Sequence, residues 1–438
     1  MYSRKEIWRI SLPILVSLFV QNLINITDTA FMGRVGQVEL GASALAGVLY
    51  LAFYMVTFGF STGAQILMAR RNGEAQYGTL GPIMGQGILF LEIFSIILIF
   101  ASLIGTPQML KVLISSTAVC QAGEDYMQYR IFGLLFTSIG VMFRAFFVAV
   151  TRTKVLMMNA VIMTVANVVF NYIFVFGHFG APEMGIAGAA LGSVLAEATL
   201  HFFLYTFFYI DRGKYQLFRF RSGGFGLIRE ILNVSVWSMI LYFLTIGTWF
   251  LFFVAVEHLG ELPLAISNII RSTSTLLFMP VNAFGATACT LVSNAMGARR
   301  ADDVIPIMRR IVKMCYAIVL PLIALLCLAP HWILLIYTND SSLIAECTHS
   351  VYVMSSFYLI ALPGNILFQS VSGTGDTRTA FLIEMTTIVF YTLAIYWIIV
   401  TLQVDIAFCW TVEYVYWGFK LFLSFLFFKK ANWKVKKI

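Results

Sequence analysis

Charge is scarce in this chain: Asp, Glu, Lys and Arg make up 11% of 438 residues, less than half the share of an ordinary soluble domain. Histidine is scarcer still, with five copies scattered along the chain, so no HExxH metalloprotease pattern can be written. The six cysteines (Cys120, Cys289, Cys315, Cys327, Cys347 and Cys409) have neither CxxC spacing nor His neighbours, which excludes a disulfide framework and a zinc ribbon and makes them apolar filler. No GxxxxGK[ST] loop offers a nucleotide its phosphate cradle, so an ATP-driven pump contained in this chain is excluded as well. No cofactor or metal is expected.

What is present is apolar. Hydrophobic residues make up 60% of the chain, and the mean hydropathy is +0.87. About twelve apolar runs of roughly 20 to 28 residues follow one another, each long enough to cross ~30 Å of hydrocarbon as a helix. They cover 7–31, 43–69, 82–105, 125–150, 155–178, 185–210, 231–256, 263–293, 304–329, 346–371, 380–402 and 405–428. Runs of this length predict helices, since barrel strands alternate over ~10 residues. The class is an all-α polytopic membrane protein. The basic start (Arg4, Lys5, Arg9) precedes a long run with no small-x-small cleavage site, so the first run reads as a retained span.

The net charge of +8 is not a nucleic-acid signature, because the basic residues fall on alternate loops. The N-terminus, Arg70 and Arg71, Arg152 and Lys154, Arg212 to Arg229, Arg299 to Lys313, Arg378 and the tail from Lys429 to Lys437 hold most of them, while Arg34 and Lys111 stand alone on the intervening loops. The positive-inside rule then puts both termini in the cytoplasm.

One fixed displacement along the chain pairs Ser11 with Ser235, Gly36 with Gly260, Gly73 with Gly297, Pro82 with Pro306, Gly140 with Gly364 and Thr153 with Thr377. That displacement persists through several spans and loops and predicts a duplication. Two six-helix lobes, 1–210 and 231–438, are expected around a cytoplasmic linker at 211–230, related by a pseudo-two-fold axis along the membrane normal. Parallel repeats of this kind belong to transporters.

Intramembrane polar residues mark function, because a charge at mid-helix is costly and turns toward protein or water. On the first span Gln21, Asn25 and Asp28 stand at i, i+4 and i+7, on one helical face. On the fifth, Asn167 and Asn171 stand at i and i+4, with Thr164 a turn earlier. Amides alone could be interhelical glue. A carboxylate is more than glue requires, and in a low-dielectric surround such a group can take and release a proton. The repeat displacement carries Asp28, Asn167 and Asn171 onto Phe252, Tyr391 and Ile395, so the stripe belongs to the first half only. Other intramembrane charges, Glu92, Glu197, Glu384, Glu413, Arg130, Arg144, Arg271 and Lys420, are expected to pair with one another or to snorkel. Gly373 to Asp376 spells GxGD, a pattern of intramembrane aspartyl proteases, yet it falls at a basic loop beside Arg378 and reads as a turn with glycine at positive φ.

Twelve spans, the duplication, Leu12-Pro13-Ile14 and the segments QNLINITDTAFMGRVG, FGFSTGAQILMARRNG and GTGDTRT together resemble the MATE (multidrug and toxic compound extrusion) transporters over essentially the whole chain, most closely a DinF-like bacterial branch. The resemblance implies a cation-coupled antiporter of a bacterial inner membrane that exports organic, often cationic amphiphiles by alternating access, a monomer whose partners are a small-molecule substrate and the lipid bilayer. It implies cation or proton coupling at Asp28 with Gln21, Asn25, Asn167, Asn171 and Ser193, and a bend of the first helix to which Pro13 contributes by removing a backbone hydrogen bond. The fifth-span family pattern Asn-x-x-x-Asp reads Asn167-Val-Val-Phe-Asn171 here. Losing that second acid favours H⁺ over Na⁺ as the coupling ion, with Na⁺ left open. A lipid-linked saccharide flippase of the same superfamily is the competing expectation, and a membrane-embedded enzyme a more distant one.

Overall fold

The computed structural model describes residues 2–113, 116–216, 224–338 and 340–436. Residues 217–223 of the expected linker and the last two of the basic tail lie outside them. Among the described residues there are helices and no strands. The helices are α1 (Arg4–Val35), α2 (Gln37–Gly73), α3 (Leu80–Leu113), α4 (Thr117–Arg130), α5 (Gly133–Ala149), α6 (Lys154–Phe176), α7 (Gly185–Tyr215), α8 (Gly224–Glu257), α9 (Glu261–Gly297), α10 (Val304–Leu328), α11 (Pro330–Leu334), α12 (Ser341–Gly373), α13 (Thr377–Ile395), α14 (Ile406–Cys409) and α15 (Val412–Lys430).

Nine of these helices, among the described residues, are long and apolar enough to cross a membrane, and α4 with α5 makes a tenth span bent by 53°. The expected run 125–150 is therefore a broken helix, interrupted at Ile131 and Phe132. The two remaining expected runs fall on α7, apolar over Gly185–Thr199, and on α15, whose Glu413 and Lys420 are buried inside the protein. Helix starts carry polar caps: the side chains of Asp340, Asp376 and Asp405 accept from the first free N–H groups of α12, α13 and α14. Asp376 thus has a structural task, and the GxGD stretch is a turn with Gly375 at φ +91°.

Packing divides the chain into an N unit, Val16–Tyr242, and a C unit, Met1–Leu15 with Phe243–Ile438. These borders differ from the sequence halves because each half's first helix begins in the other unit. In the C unit, Trp8 packs edge-on against Phe284 at 5.8 Å, and the Ser11 hydroxyl donates to Thr287 Oγ1 at 3.1 Å. In the N unit, the Ser235 hydroxyl donates to the Phe60 carbonyl at 3.0 Å and lies against Gly63, where a side chain would not fit. The repeat displacement relates Ser11 to Ser235, and it relates Gly63 to Thr287 as well. The same contact is made once in each unit.

Backbone conformation repeats with the same displacement. Ala75 and Arg299 both have φ +58°, Thr151 at +59° answers Gly375 at +91°, and Phe179 at +57° answers Gln403 at +47°. Left-handed residues other than glycine are uncommon, and five of these six positions hold one, so three pairs at one displacement carry the duplication more firmly than scattered identities do.

Candidate functional site

Helices α6 and α7 of the N unit approach closely because Gly188 and Gly192 form a GxxxG pair on α7. A Cβ at Gly188 would run into the Phe174 carbonyl of α6, and one at Gly192 into the Asn171 side chain. This close approach lets the Asn167 amide nitrogen donate to Ser193 Oγ at 3.1 Å. Asn171, one turn further along α6, donates to Asn167 Oδ1 at 3.3 Å and to Asp28 Oδ1 of α1 at 2.6 Å. Thr164, a turn earlier, donates to the Val20 carbonyl at 3.3 Å, which holds α1 against α6 at a second point.

A chain of polar groups thus runs from Asp28 through Asn171 and Asn167 to Ser193. Asn167 and Asn171 are 1% and 0% exposed and Ser193 is 8% exposed, whereas Asp28 is half-buried. Both hydrogens of the Asn171 amide are used, and its carbonyl oxygen, facing Gly192, has no hydrogen-bond partner. Asp28 is bonded to a neutral amide, not to a cation. Gln21 and Asn25 share its helix but are exposed, and among the described residues no side-chain hydrogen bond joins them to this chain of groups. Pro13 lies buried inside α1, two residues ahead of the Leu15–Val16 border at which α1 passes from the C unit to the N unit.

The nearby charges of the N unit are spoken for. Arg130 binds Glu197 through two bonds of 2.6 and 3.0 Å, stacks on the Tyr50 ring at 3.7 Å, and shares Glu197 with Thr137 at 3.3 Å. The pair sits against Gly133 at the break between α4 and α5, where a Cβ would collide with it. The sequence expectation that such charges pair is met here. Gly188 and Gly192 were legible as a GxxxG spacing but not as part of the site, since nothing in the sequence says which helix they face. Among the described residues, no three His, Cys, Asp or Glu side chains gather as a metal site.

The MatE family model matches residues 13–173 and 228–397. The "Probable multidrug resistance protein NorM" of Thermotoga maritima is 24% identical over 451 residues, covering 99% of this chain and 94% of that protein. The "Probable multidrug resistance protein YoeA" of Bacillus subtilis is 22% identical, covering 85% of this chain and 81% of its own length. Among solved structures, an outward-facing multidrug resistance MATE family transporter of the MOP superfamily superposes with a TM-score of 0.90 at 16% identity, covering 99% of this chain and 97% of that one. A MOP superfamily transporter from Pyrococcus furiosus, described as having a binding pocket of reverse polarity, superposes at 0.87 with 16% identity, covering 97% of this chain and 94% of that one. At this identity the two structures establish the fold.

Proposed function

The chain belongs to the MatE family, and from that premise we propose that it is a proton-coupled antiporter exporting organic cations, with Asp28 as the group that carries the proton. A transporter of this family is not an enzyme. The observation that carries the proposal is the 2.6 Å bond from the Asn171 amide to Asp28. A carboxylate accepts from that N–H, whereas a protonated Asp28 has a hydroxyl to donate. The bond from Asn171 to the acid form loses its charge assistance, and the unpartnered Asn171 carbonyl oxygen is available to the new hydroxyl. Proton uptake therefore weakens the contact between α6 and the second half of α1, and α1 relaxes near Pro13. Exchange of the charged for the neutral site releases a bound organic cation on the outer side, and the proton leaves on the inner side.

The donor set favours H⁺ over Na⁺. The position that completes the family's acidic pair is Asn171, and it turns an N–H, not an oxygen, toward Asp28. One proton exchanged for one monovalent cation is electroneutral, and a gradient of one pH unit then supplies about 1.4 kcal/mol, a tenfold accumulation. The basic loops support a cytoplasmic location for both termini in an inner membrane.

Proteoliposomes exposed separately to a pH gradient and to a Na⁺ gradient, with ethidium as the transported cation, test this reading. Ethidium accumulation driven by pH in the wild type and reduced at least about tenfold in Asp28→Asn is the expected result; accumulation driven by Na⁺ alone would overturn the proton assignment.

One observation favours the flippase alternative. Arg271 of α9 is exposed beside Asn268 at 3.4 Å and Phe253 at 5.5 Å, on a helix face that also carries Thr275. A guanidinium so placed suits an anionic lipid headgroup. Movement of a fluorescent lipid-linked pyrophosphate between leaflets by the reconstituted protein would select that reading.

A further inference from the structure

Helices α13 and α15 carry two carboxylates and one ammonium into the interior of the C unit. Glu384, Glu413 and Lys420 are 0%, 5% and 4% exposed. Lys420 Nζ lies 2.7 Å from Glu384, and the same carboxylate accepts from the hydroxyls of Tyr416 at 2.5 Å and Thr245 at 3.2 Å. Lys420 also donates to Tyr416 Oη at 2.8 Å and sits over the Phe368 ring at 4.4 Å. That ion pair neutralises itself. Glu413 is held by neutral groups instead: the Tyr391 hydroxyl donates to Oε1 at 2.8 Å and the Trp417 indole N–H to Oε2 at 3.1 Å.

The position of this second constellation matters. Tyr391 and Trp417 are the repeat counterparts of Asn167 and Ser193, the two residues that join α6 to α7 beside Asp28. In the N unit those positions hold an amide and a hydroxyl bonded to one another; in the C unit they hold a phenol and an indole that grip a carboxylate between them. The second half thus lacks the carboxylate on its first helix, where Phe252 stands, but it keeps one at the equivalent junction of its last two spans.

We propose that Glu413 is a second proton-exchange site, working alongside Asp28, with the Glu384–Lys420 pair setting the field around it. The proposal rests on the proton-coupled reading of Asp28. Two buried acids face one buried ammonium, so one negative charge is left over unless a proton occupies the cluster, and an uncompensated buried carboxylate is strongly disfavoured. The titratable groups around Glu413 are Tyr358 on α12, Tyr391 on α13, Glu384 on α13 through Lys420, and Tyr416 and Lys420 on its own helix. On α14, Cys409 turns its thiol to the Val404 carbonyl. Among these the sole cation is Lys420, and Glu384 engages it. A proton arriving from water adds to Glu413 Oε1, since Oε2 faces the Trp417 N–H, which can only donate; the carboxylate becomes a carboxylic acid, and Oε1 gains a hydrogen to donate. The Tyr391 hydroxyl, which donates to that oxygen, then turns to accept from it, as a phenol can do either. Release runs the same exchange backwards, with no other reactant.

The reconstituted full chain tests this, with the potential clamped at zero by K⁺ and valinomycin and the equilibrium ethidium ratio read against the imposed pH difference. Two protons per ethidium give an accumulation of about 100-fold per pH unit, and one gives about tenfold. The wild type is expected at the steeper value and Glu413→Gln at the shallower; a wild type at the shallower value, or a Glu413→Gln as steep as wild type, overturns the proposal. Should Glu413→Gln not transport, infrared difference spectra of the solubilised protein on a pH step decide. Loss of one carboxylic-acid C=O band in Glu413→Gln, and a shift of that band in Tyr391→Phe, support the site; an unchanged spectrum in both overturns it. The reading of Asp28 fails separately, if Asp28→Asn transports with wild-type steepness.

Discussion

Asn171 spends both hydrogens of its amide at once, one on Asp28 of α1 and one on Asn167 of its own helix. The carboxylate of Asp28 is therefore held in place by a group with no charge to neutralise it, and the bond is stronger to the ionised form than to the acid. Replacing Asp28 with Asn removes the titrating group while preserving the size of the side chain. Ethidium accumulation under a one-unit pH gradient should fall by at least about tenfold, with the protein still monodisperse and melting within a few degrees of wild type.

Asn171→Leu takes away the donor and leaves Asp28 without its partner. A hydrogen bond to a charged group contributes about 1.5–3 kcal/mol against about 0.5–1.5 for a neutral one, so losing it costs the ionised form more and the protonated form gains relative weight. The transport pH profile should move toward higher pH, as read from initial ethidium efflux rates between pH 5 and pH 9, about two units either side of neutrality. Asn171→Asp supplies the second acid of the family pattern, and it should make transport respond to Na⁺ where the wild type does not.

At Gly192 the argument is steric. A Cβ there meets the Asn171 side chain and comes within 3.1 Å of its backbone nitrogen, so neither can move aside cheaply. Gly192→Val should separate α6 from α7, cost about 1–3 kcal/mol by overpacking and lower both the melting temperature and the transport rate. Gly247 of α8, with open space around its Cα, is the matched control, and Gly247→Ala should leave both unchanged.

Much of this was legible in the sequence, and the rest was hidden for physical reasons. Span number and helical class follow from the length of the apolar runs, and the i, i+4, i+7 spacing brought Asp28 to notice. Periodicity assigns residues to a face but does not say what that face meets. Gln21 and Asn25 lie on the stripe of Asp28 yet are exposed. Glu413 and Lys420 also share a face, yet the ammonium goes to Glu384 on another helix. The break between α4 and α5 carries no proline; it coincides with Gly133, whose missing side chain admits the Arg130–Glu197 pair. The unit borders were hidden because a contact such as Ser235 with Phe60 joins residues 175 positions apart.

The Arg130–Glu197 pair makes a separate prediction about stability. Removing one partner of a buried pair leaves the other charge stranded, at a cost of about 3–5 kcal/mol, whereas replacing both by apolar groups of similar volume is close to neutral. Glu197→Leu should therefore lower the melting temperature in detergent sharply, and the double variant Arg130→Met with Glu197→Leu should recover most of the loss. A double variant as unstable as the single one would mean that the bend at Gly133 needs the pair itself and not just the filled space.

Outside the membrane, Asp340 links stability to pH. The Ser342 hydroxyl and backbone N–H at 2.7 and 2.9 Å, and the Leu343 N–H at 3.4 Å, all donate to its Oδ1, and these bonds hold its carboxyl below the ordinary aspartate value. A group with a depressed folded-state value stabilises the fold above the unfolded-state value of about 3.9, and that contribution is lost as pH falls through the folded-state value. Asp340→Ala should thus melt at a lower temperature than wild type at neutral pH, because α12 loses its cap and the favourable charge at its N-terminus. The gap between the two melting curves should narrow steadily as the buffer is taken below the ordinary aspartate range. A gap that stays constant down to that acidity would show that Asp340 acts through its shape and not through its charge.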